Sequence, residues 1–525
     1  MRFFNTAGPV NCKDHYCLSP LERFDLEGIV SLIDQKKYFV LHAPRQTGKT
    51  TCLLALMDHL NAIGKYRCLY FNVESAQAAR EDVRQGMRAI LDEMASSASD
   101  YLEDDFLESH WQEALNKSGE YGALTKLLSL WAKEDPLPLV ILMDEIDALV
   151  GDTLISVLRQ LRSGYHKRPG MFPQSVVLCG VRDVRDYRIH STKEKSIITG
   201  GSAFNIKAKS LRLGNFSRDE MYVLYQQHTE ETGQVFVDGT MDLLWELTGG
   251  QPWLVNALGY EVCFEMKEGS DRKRPITVDM IEQAKENIIL RRETHIDQLA
   301  DKLQEPRVRQ VIEPLLEGLQ EPEQITPDNL SYVIDLGLIK IDGQLQIANR
   351  IYQEVIPRVL TYSTQVTISE QPSWYIKPNG QLDMDKLLDA FQQFFREHSE
   401  HWVERFQYKE AGPQLLLQAF LQRIVNGGGR VEREYGLGRM RTDLLIIWPH
   451  KGGVQKEVIE LKILYKSLDE TINQGLKQTT EYMVRCHTDK GHLVIFDRSE
   501  GKNWEQKIFK REEDFQGKKI MVWGM

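Results

Sequence analysis

Between Tyr38 and about Leu213, short apolar runs rich in β-branched residues alternate with segments whose apolar positions recur every three or four residues. Apolar runs of this length, separated by helical patterns, are typical of strands that are buried on both faces of a mostly parallel sheet. Five such strands are predicted, at residues 38–42 (YFVLH), 67–73 (RCLYFNV), 139–145 (LVILMDE), 175–181 (SVVLCGV) and 203–209 (AFNIKAK). The pattern predicts an α/β domain over residues 1–215.

The segment after this predicted sheet has a helical pattern. Ser217 and Glu220 fit a capping box, in which a serine and a glutamate three residues apart close the first turn of a helix. Helical spacing of apolar residues then continues to about Arg292. We therefore predict a helical region over residues 216–295.

A second change of pattern occurs near residue 327. There DNLSYVIDLGL has helical spacing and leads into IKIDGQLQIANR, in which Asp342-Gly343 is a strong signal for a two-residue hairpin turn. A helix followed by such a wing resembles a winged-helix module, which we place at residues 296–362. The polar stretch 363–383 contains Pro and Gly and predicts a linker. Residues 384–525 are then a separate domain, with strands predicted at EREYGL, TDLLIIW, EVIELKI and HLVIFDR.

Length and composition agree with several packed domains. A chain of 525 residues exceeds the size at which a single hydrophobic core stops growing, about 250–300 residues. Hydrophobic residues make up 42% and charged residues 27%, as in ordinary globular proteins. The net charge of −11 means that any contact with nucleic acid must depend on a local basic surface.

The seven cysteines have neither a CxxC pair nor metal-ligand spacing, which indicates reduced thiols. The first residues lack the pattern of a signal peptide, and no apolar stretch approaches the roughly 18 residues of a membrane span. We expect a cytoplasmic protein with no membrane contact.

The first candidate site follows the strand at residues 38–42, where a glycine-containing loop opens an amphipathic helix. The loop residues are Ala43, Pro44, Arg45, Gln46, Thr47, Gly48, Lys49 and Thr50, followed by Thr51. Backbone N–H groups and a helix N-terminus that converge in this way bind anions. Lys49 would reach the β- and γ-phosphates of ATP, and the Thr50 hydroxyl would hold Mg²⁺. Ala43 stands where the usual pattern has glycine, a change that we expect to require only a modest local adjustment.

The partner of this loop is LVILMDEIDAL. An apolar strand that ends in two acids would place Asp144 to bind Mg²⁺ through water and Glu145 to polarise the attacking water. The alternative is a buried strand that ends in solvated acids. The loop about a hundred residues earlier favours the nucleotide interpretation, because paired motifs are more specific than either alone.

These motifs, together with Cys179-Gly180-Val181-Arg182-Asp183 and Gly249-Gly250-Gln251-Pro252-Trp253, resemble the AAA-like P-loop ATPases of the STAND and archaeal-ATPase group. The resemblance covers roughly residues 5–360. It implies a P-loop NTPase sheet with a helical lid and a winged-helix-like module.

The resemblance also assigns roles to residues outside the loop. It implies that Leu21, Glu22 and Arg23 lie near the adenine, that Arg182 senses the γ-phosphate, and that Pro252 belongs to the lid. A plain surface arginine is an equal alternative for Arg182, and a simple helix corner would account for GGQPW. Arg159 and Arg162 would be fingers for a neighbouring subunit in a homo-oligomer, although a solvated helix face explains them better.

A second candidate site lies near the C-terminus. Asp443 begins one predicted strand, and Glu460, Leu461 and Lys462 lie in the next strand after a polar turn. Side chains at i and i+2 share a face of a strand, so Glu460 and Lys462 point together, and a hairpin would bring Asp443 beside them. Two carboxylates and the Leu461 carbonyl would bind Mg²⁺, and Lys462 would orient or deprotonate a water.

This arrangement resembles the core motif of the PD-(D/E)xK nuclease superfamily over roughly residues 385–500. The resemblance implies a catalytic or metal-binding role for Asp443, Glu460 and Lys462, with Mg²⁺ or Mn²⁺ as the metal and DNA as the substrate. Its first-helix glutamate would be Glu410, with Glu434 as a competitor. Gln478 and Tyr482 resemble the polar helix face that accompanies this core. A strand with a surface ion pair is the alternative.

The leading interpretation is an ATP-binding and ATP-hydrolysing switch that controls a metal-dependent DNA endonuclease, with genome or anti-phage defence suggested by resemblance alone. The first alternative is a STAND-like signalling ATPase whose C-terminal domain binds nucleic acid or a partner protein without cleaving. The second is a motor ATPase in which the nuclease-like domain is a structural clamp. Such a switch would respond to an activating signal or a protein partner.

Overall fold

The structure is a computed structural model of the chain. It describes residues 1–182, 189–190, 197–198, 207–291, 293–317, 325–360, 375–405, 417, 420–421, 429–432, 444–464, 467–497, 499 and 502–525. The chain forms two compact units, of which the first is Met1–His295 with Thr326–Lys340 and the second is Ile296–Ile325 with Ile341–Met525. In the described part of the chain, no helix has both the length and the apolar character needed to cross a membrane.

The first seven strands in chain order belong to the first unit, and five of them form its main sheet. They are β1 (Tyr38–His42), β2 (Arg67–Asn72), β3 (Leu139–Asp144), β4 (Ser175–Gly180), β5 (Ile189–His190), β6 (Ile197–Ile198) and β7 (Lys207–Arg212). The main sheet has the order β2-β3-β4-β1-β7, and all its neighbouring strands are parallel. The α/β class and the parallel sheet are therefore confirmed.

Ten helices occur between Leu26 and Arg291 in the described residues. They are α1 (Leu26–Asp34), α2 (Lys49–Ile63), α3 (Val83–Leu102), α4 (Phe106–Ser118), α5 (Ala123–Glu134), α6 (Gly151–Gly164), α7 (Arg218–Thr232), α8 (Thr240–Thr248), α9 (Pro252–Tyr260) and α10 (Val278–Arg291). Short 3₁₀ segments lie at Pro20–Arg23, Glu74–Ala79, Ile146–Ala148 and Tyr165–Lys167, and a π-helical turn lies at Glu261–Glu265. The capping box of Ser217 and Glu220 at the start of α7 is present as predicted.

Helices cover both faces of the main sheet, which is why its strands are apolar at successive positions. On β1, Phe39 and Leu41 share a core with α1 and α2, whereas Tyr38 and Val40 share a core with α3 to α6. β1, β3 and β4 are buried at every position. The fifth predicted strand is observed at Lys207–Arg212 rather than 203–209, and positions 203–206 lie outside the described residues.

The expectation of seven reduced thiols was wrong for one pair. Cys12 and Cys17 form a disulfide, with their Cα atoms 5.4 Å apart. A turn brings them together, since the N–H groups of Asp14 and His15 both donate to the Asn11 carbonyl, at 3.0 and 2.8 Å. The spacing of five residues carries no CxxC signal, so this pair could not be predicted from the sequence pattern. The other cysteines are free and buried: Cys52, Cys68, Cys179, Cys263 and Cys486.

The predicted helix and hairpin near residue 330 are both present. After α11 (Thr294–Lys302) and α12 (Pro306–Glu317), the chain forms α13 (Pro327–Asp335), then β8 (Ile339–Asp342) and β9 (Gln344–Ile347), which pair around Gly343, and then α14 (Arg350–Leu360). The compact units divide this stretch, because α13 belongs to the first unit and α12 and α14 to the second. The winged-helix-like module at 296–362 stays a prediction.

The remaining elements of the second unit form a mixed six-stranded sheet with helices. They are α15 (Met384–Arg405), β10 (Arg430–Glu432), β11 (Leu444–His450), β12 (Gly453–Ile463), α16 (Leu468–Arg485), β13 (Gly491–Phe496), α17 (Trp504–Lys507), β14 (Phe509–Phe515) and β15 (Lys518–Gly524). The strand order is β10-β11-β12-β13-β15-β14. β11 is antiparallel to β12, whereas β13 is parallel to both β12 and β15.

Strand β12 lies at the centre of this packing. Ile459 and Leu461 belong to one core cluster with α15, and Val458 belongs to another with α16. The end of the predicted linker also packs here, since Leu382 N–H donates to Gln455 Oε1 at 2.8 Å and Gln455 Nε2 donates back to the Leu382 carbonyl at 3.0 Å. The described residues 375–383 are therefore part of this domain, and 363–374 lie outside the described residues.

Candidate functional site

The loop between β1 and α2 has the backbone of an anion site. Helix α2 begins at Lys49, and Gly48 before it has a φ of +90°, which favours glycine. A side chain at Gly48 would also come within 2.9 Å of the Arg23 guanidinium. Gln46 has a positive φ of 57° as well. The free N–H groups of the first turn of α2 therefore face the loop that precedes them.

The Lys49 ammonium lies within this loop. Its side chain is buried, and Nζ donates to the carbonyls of Ala43 and Pro44, both at 3.1 Å. The Thr47 hydroxyl donates to the same Pro44 carbonyl at 2.7 Å. A buried cation whose hydrogen bonds go to neutral carbonyls keeps its charge available for an anion.

Thr50 and Asp144 meet at the carboxyl edge of the sheet, as the two motifs predict. Thr50 Oγ1 donates to Asp144 Oδ2 at 2.7 Å, and Asp144 is 0% exposed. The hydroxyl of Tyr70, on β2 beside β3, donates to the same oxygen at 3.2 Å, and the Glu145 N–H donates to Asp144 Oδ1 at 2.9 Å. A hydroxyl and a carboxylate are oxygen ligands that suit Mg²⁺.

Glu145 follows directly and has an unusual backbone. Its φ of 55° and ψ of 41° are left-handed, a conformation that is rare for glutamate and is concentrated at functional sites. Burial raises the pKa of Glu145 above its ordinary value; Asp144 and Asp147 raise it further, whereas Lys49 and Arg45 lower it. A carboxylate with a raised pKa is a stronger base once it is ionised.

Asp147 connects the acidic strand to the position predicted for a sensor. Its carboxylate accepts a hydrogen bond from the Val181 N–H, which directly precedes Arg182. The Arg182 guanidinium lies 4.9 Å from the centre of the Tyr332 ring on α13. Arg182 is thus held at the carboxyl end of β4, on the same edge of the sheet as Asp144, and sequence alone did not indicate its partner Tyr332.

A cavity of about 130 Å³ adjoins the loop. It is lined by the N-terminal segment, including Thr6 and Val10, by Gly48 and Thr51 of the loop region, and by residues of α9. The Val10 N–H donates to Thr51 Oγ1 at 3.0 Å, so the N-terminal segment is tied to the start of α2.

Arg23, which the resemblance places near the adenine, lines this cavity. Its guanidinium donates to the carbonyls of Thr47 at 2.5 Å and Gly214 at 2.7 Å, and it lies 4.6 Å from the centre of the Phe216 ring. The other two residues of that prediction, Leu21 and Glu22, do not line the cavity. Arg23 therefore links the loop to the segment that leads into α7.

The GGQPW turn belongs to the same cavity wall. Gly250 has a φ of +72°, and a side chain there would clash with the Phe216 carbonyl at 2.1 Å. Pro252 occupies the first turn of α9 and lines the cavity together with Trp253. Pro252 and Gly48 of the loop therefore line the same cavity. The two glycines also form the corner between α8 and α9, as the alternative interpretation of GGQPW predicts.

A second contact joins this wall to the loop. The Trp253 and His295 rings stack with centres 4.9 Å apart, and His295 Nδ1 is 2.5 Å from Gln46 Oε1. Burial lowers the pKa of His295 to about 4, so its ring is neutral at pH 7. The finger candidates Arg159 and Arg162 are exposed on α6, in agreement with a solvated helix face.

Several residues of this site were not predicted from the sequence. Tyr70, Phe216, Asn256 and the N-terminal segment Asn5–Val10 contact the acidic strand or line the cavity. Asn256 is one helical turn after Pro252, so the GGQPW motif contained a signal for it. The N-terminal segment has no periodic pattern and offered none.

At the second candidate site, the structure places Glu460 and Lys462 together. Lys462 Nζ donates to Glu460 Oε1 at 2.6 Å, and Glu460 is 0% exposed. The predicted hairpin is present, with Leu444 of β11 opposite Ile459 of β12. Gln478 and Tyr482 lie on α16, whose core cluster includes Val458 of β12.

The other acidic candidates, Asp443, Glu410 and Glu434, lie outside the described residues. Among the residues that are described, no group of three His, Cys, Asp or Glu side chains is arranged to hold a metal. Of the residues predicted for this site, the structure describes Glu460, Lys462, Gln478 and Tyr482.

Comparison with solved structures found similar chains at low sequence identity. The Walker-type ATPase PABY2304 of Pyrococcus abyssi is 13% identical, covers 67% of this chain and 99% of its own, and has a TM-score of 0.45. The RuvB Holliday junction branch migration motor of Thermotoga maritima is 13% identical, covers 64% and 96%, and has a TM-score of 0.34. Cdc6p from Pyrobaculum aerophilum is 14% identical, covers 65% and 93%, and has a TM-score of 0.35.

No curated protein sequence matches the chain. The model of the AAA-like domain family matches residues 24–356, which is more than half of the chain and includes the loop, the acidic strand and the helices α7 to α10. The protein therefore belongs to the AAA-like domain family, with a P-loop unit of the ATPase type.

Proposed function

We propose that the chain is an ATP-hydrolysing switch that controls a metal-dependent DNA endonuclease in its C-terminal domain. For the ATPase, the observation that carries the proposal is the 2.7 Å hydrogen bond between Thr50 and Asp144. It joins the P-loop to the acidic strand at the point where Mg²⁺ needs oxygen ligands.

Each residue of the first site then has a role that follows from its position. Lys49 would exchange its two carbonyl partners for phosphate oxygens, which are stronger acceptors because they are charged. Thr50 and Asp144 would hold Mg²⁺, which supplies charge neutralisation at the phosphates when it is bound. Glu145 would orient the attacking water and accept its proton.

The test of the ATPase proposal is nucleotide binding and turnover in the full chain. We expect Lys49→Ala to abolish both, because the phosphate charge is then unmatched at the N-terminus of α2. Lys117→Ala is the matched control, since Lys117 is an exposed lysine on α4, outside the loop. Equal nucleotide affinity and turnover in Lys49→Ala and the wild type would contradict the proposal.

For the nuclease, the supporting observation is the Glu460–Lys462 pair on β12. Leu444 pairs with Ile459, so one more pair in the same register would set the preceding residue, Asp443, opposite Glu460. We propose that Asp443 and Glu460 hold Mg²⁺ or Mn²⁺ there and that Lys462 orients the water. Glu410 and Gln478 would complete the site.

The nuclease test measures DNA cleavage with Mg²⁺ or Mn²⁺ in the wild type, Glu460→Gln and Lys462→Met. Glu457→Gln is the matched control, because Glu457 is a second buried carboxylate on β12 but bonds to His492 at 3.3 Å instead. We expect cleavage to be lost in Glu460→Gln, strongly impaired in Lys462→Met, and kept in Glu457→Gln. Cleavage that persists in Glu460→Gln would refute the site.

Control by nucleotide is tested in the same assay with and without ATP. A nucleotide shifts a two-state equilibrium only through different affinity for the two states, and a tenfold difference corresponds to about 1.4 kcal/mol. DNA must then change ATP affinity by the same factor, which can be measured in the Glu145→Gln, Glu460→Gln double variant, where neither ligand is consumed. Equal ATP affinities with and without DNA would contradict control by nucleotide.

One observation favours a second candidate, a STAND-like signalling ATPase whose C-terminal domain binds DNA or a protein without cleaving it. Glu460 is fully buried and bonded to Lys462, an arrangement that can also serve only to stabilise a strand. If this candidate is correct, the wild type should not cleave DNA with Mg²⁺ or Mn²⁺ but should bind DNA or its protein partner with an affinity that depends on the nucleotide.

A further inference from the structure

Four buried polar side chains line the cavity beside the P-loop: Asn5, Tyr16, Thr47 and Asn256. The first three have partners within the protein. Asn5 donates to the Gly8 carbonyl at 3.0 Å and accepts from the Ala7 N–H at 3.2 Å. The Tyr16 hydroxyl is 3.1 Å from His228 Nδ1, and the Thr47 hydroxyl donates to the Pro44 carbonyl.

Asn256 differs from the other three. Its Nδ2 donates to the Pro252 carbonyl at 2.8 Å, one turn earlier on α9, and only 7% of the residue is exposed. Because the Pro252 carbonyl can only accept, the Asn256 amide must turn its nitrogen toward that carbonyl. The orientation of Oδ1 follows from this. Within the described residues, the buried Oδ1 has no hydrogen-bond donor. A buried acceptor without a donor is unfavourable, and a ligand that supplies the donor removes this cost.

The surroundings of Asn256 indicate which ligand supplies that donor. The lid side of the cavity is mostly apolar, with Phe216, Leu224 and Trp253. The Trp253 indole N–H is already donated to the Thr6 carbonyl at 2.9 Å, so the ring offers its apolar surface. Apolar walls with one polar group suit the faces and the edge of a purine better than a ribose, which carries hydroxyl groups.

We propose that Asn256 Oδ1 accepts a hydrogen bond from the exocyclic amine of adenine and selects ATP against GTP. At the same ring position guanine carries a carbonyl, an acceptor that would leave Asn256 Oδ1 without a donor and repel it. The inference rests on the proposed nucleotide function and adds a specificity-determining residue on the lid helix.

The experiment measures binding to the full chain in Mg²⁺ of ATP, purine riboside triphosphate, which lacks the amine, GTP and 2′-deoxy-ATP. We expect the wild type to bind ATP about tenfold more tightly than purine riboside triphosphate, as one hydrogen bond to a buried acceptor provides. In Asn256→Leu, ATP affinity should fall to that of purine riboside triphosphate. The affinity for purine riboside triphosphate should not fall, which shows that the variant cavity is folded.

Three outcomes would overturn the inference. The first is the same ratio of ATP to purine riboside triphosphate affinity in the wild type and Asn256→Leu. The second is an Asn256→Leu variant that still distinguishes ATP from purine riboside triphosphate but no longer distinguishes ATP from 2′-deoxy-ATP. That result would assign Asn256 to the ribose. The third is a wild type that binds none of these nucleotides and does not differ from Lys49→Ala, which would refute the proposed function itself.

Discussion

Replacing Asp144 with asparagine removes a buried charge while the size of the side chain is kept. The carboxylate is 0% exposed and accepts hydrogen bonds from Thr50, Tyr70 and the Glu145 N–H, at 2.7, 3.2 and 2.9 Å. The asparagine oxygen can accept some of these bonds, and either hydroxyl can rotate to accept from its amide. Since the cost of burying a charge disappears, we expect the ligand-free variant to be as stable as the wild type or more stable, by up to a few kcal/mol.

The response to ligand should change in the opposite direction. A ligand at a hundred times its Kd stabilises a protein by about 2.7 kcal/mol. For a unit of about 300 residues, the unfolding entropy is roughly 0.65 kcal/mol per kelvin, so Mg·ATP should raise the Tm of the wild type by about 4 °C. If the lost carboxylate raises Kd tenfold, the ligand stabilises by only about 1.4 kcal/mol and the shift falls to about 2 °C.

Differential scanning calorimetry with and without ATP, in Mg²⁺ or in EDTA, measures both quantities. Asp147→Asn is the control, because Asp147 lies three residues further along and bonds to the Val181 N–H instead of the P-loop. It should keep the Mg²⁺-dependent shift. A full Mg²⁺-dependent shift in Asp144→Asn, or a large loss of ligand-free stability, would show that the Thr50–Asp144 contact is structural and not a metal site.

Three further predictions concern the same unit. Glu145→Gln should keep ATP affinity and slow hydrolysis in a turnover assay. Burial raises the pKa of Glu145 in the folded state, so ionisation of this carboxyl group destabilises the folded wild type. The variant has no such group and should therefore also be more stable at pH 7. That gain should disappear in unfolding measurements below the ordinary glutamate pKa of about 4.3. Arg23→Met leaves two carbonyls without their donor, so ATP affinity should fall about tenfold in a binding titration, and an unchanged affinity would contradict its role. Reduction of the Cys12–Cys17 disulfide should cost up to about 2 kcal/mol of unfolding free energy and weaken nucleotide binding, whereas a double serine variant should not respond to reductant.

Much of the first site could be predicted from sequence because its signals are local. The strands β1 to β4 are fully or mostly buried apolar runs, and the residues Lys49, Thr50, Asp144 and Glu145 stand where those runs end. A loop that must present N–H groups to an anion also restricts residue choice over a short stretch, as Gly48 shows.

The parts that sequence did not show depend on contacts between distant residues. Tyr16 reaches His228 across 212 positions, and Trp253 reaches Thr6 across 247. Such pairs follow no helical or strand periodicity, so the N-terminal wall of the cavity could not be predicted. In the second unit, β14 was missed because FKREEDF is charged and partly or fully exposed along its length, as befits an edge strand.

The order of strands in the second unit has a consequence for how the protein is made. β13 is buried at every position and lies between β12 and β15, but β15 is separated from it along the chain by α17 and β14. During synthesis, β13 therefore leaves the ribosome with its apolar surface and one row of N–H and C=O groups uncovered until the β14–β15 hairpin follows. Chains that stop before Lys518 keep that edge open, and we expect them to aggregate or to be retained by chaperones.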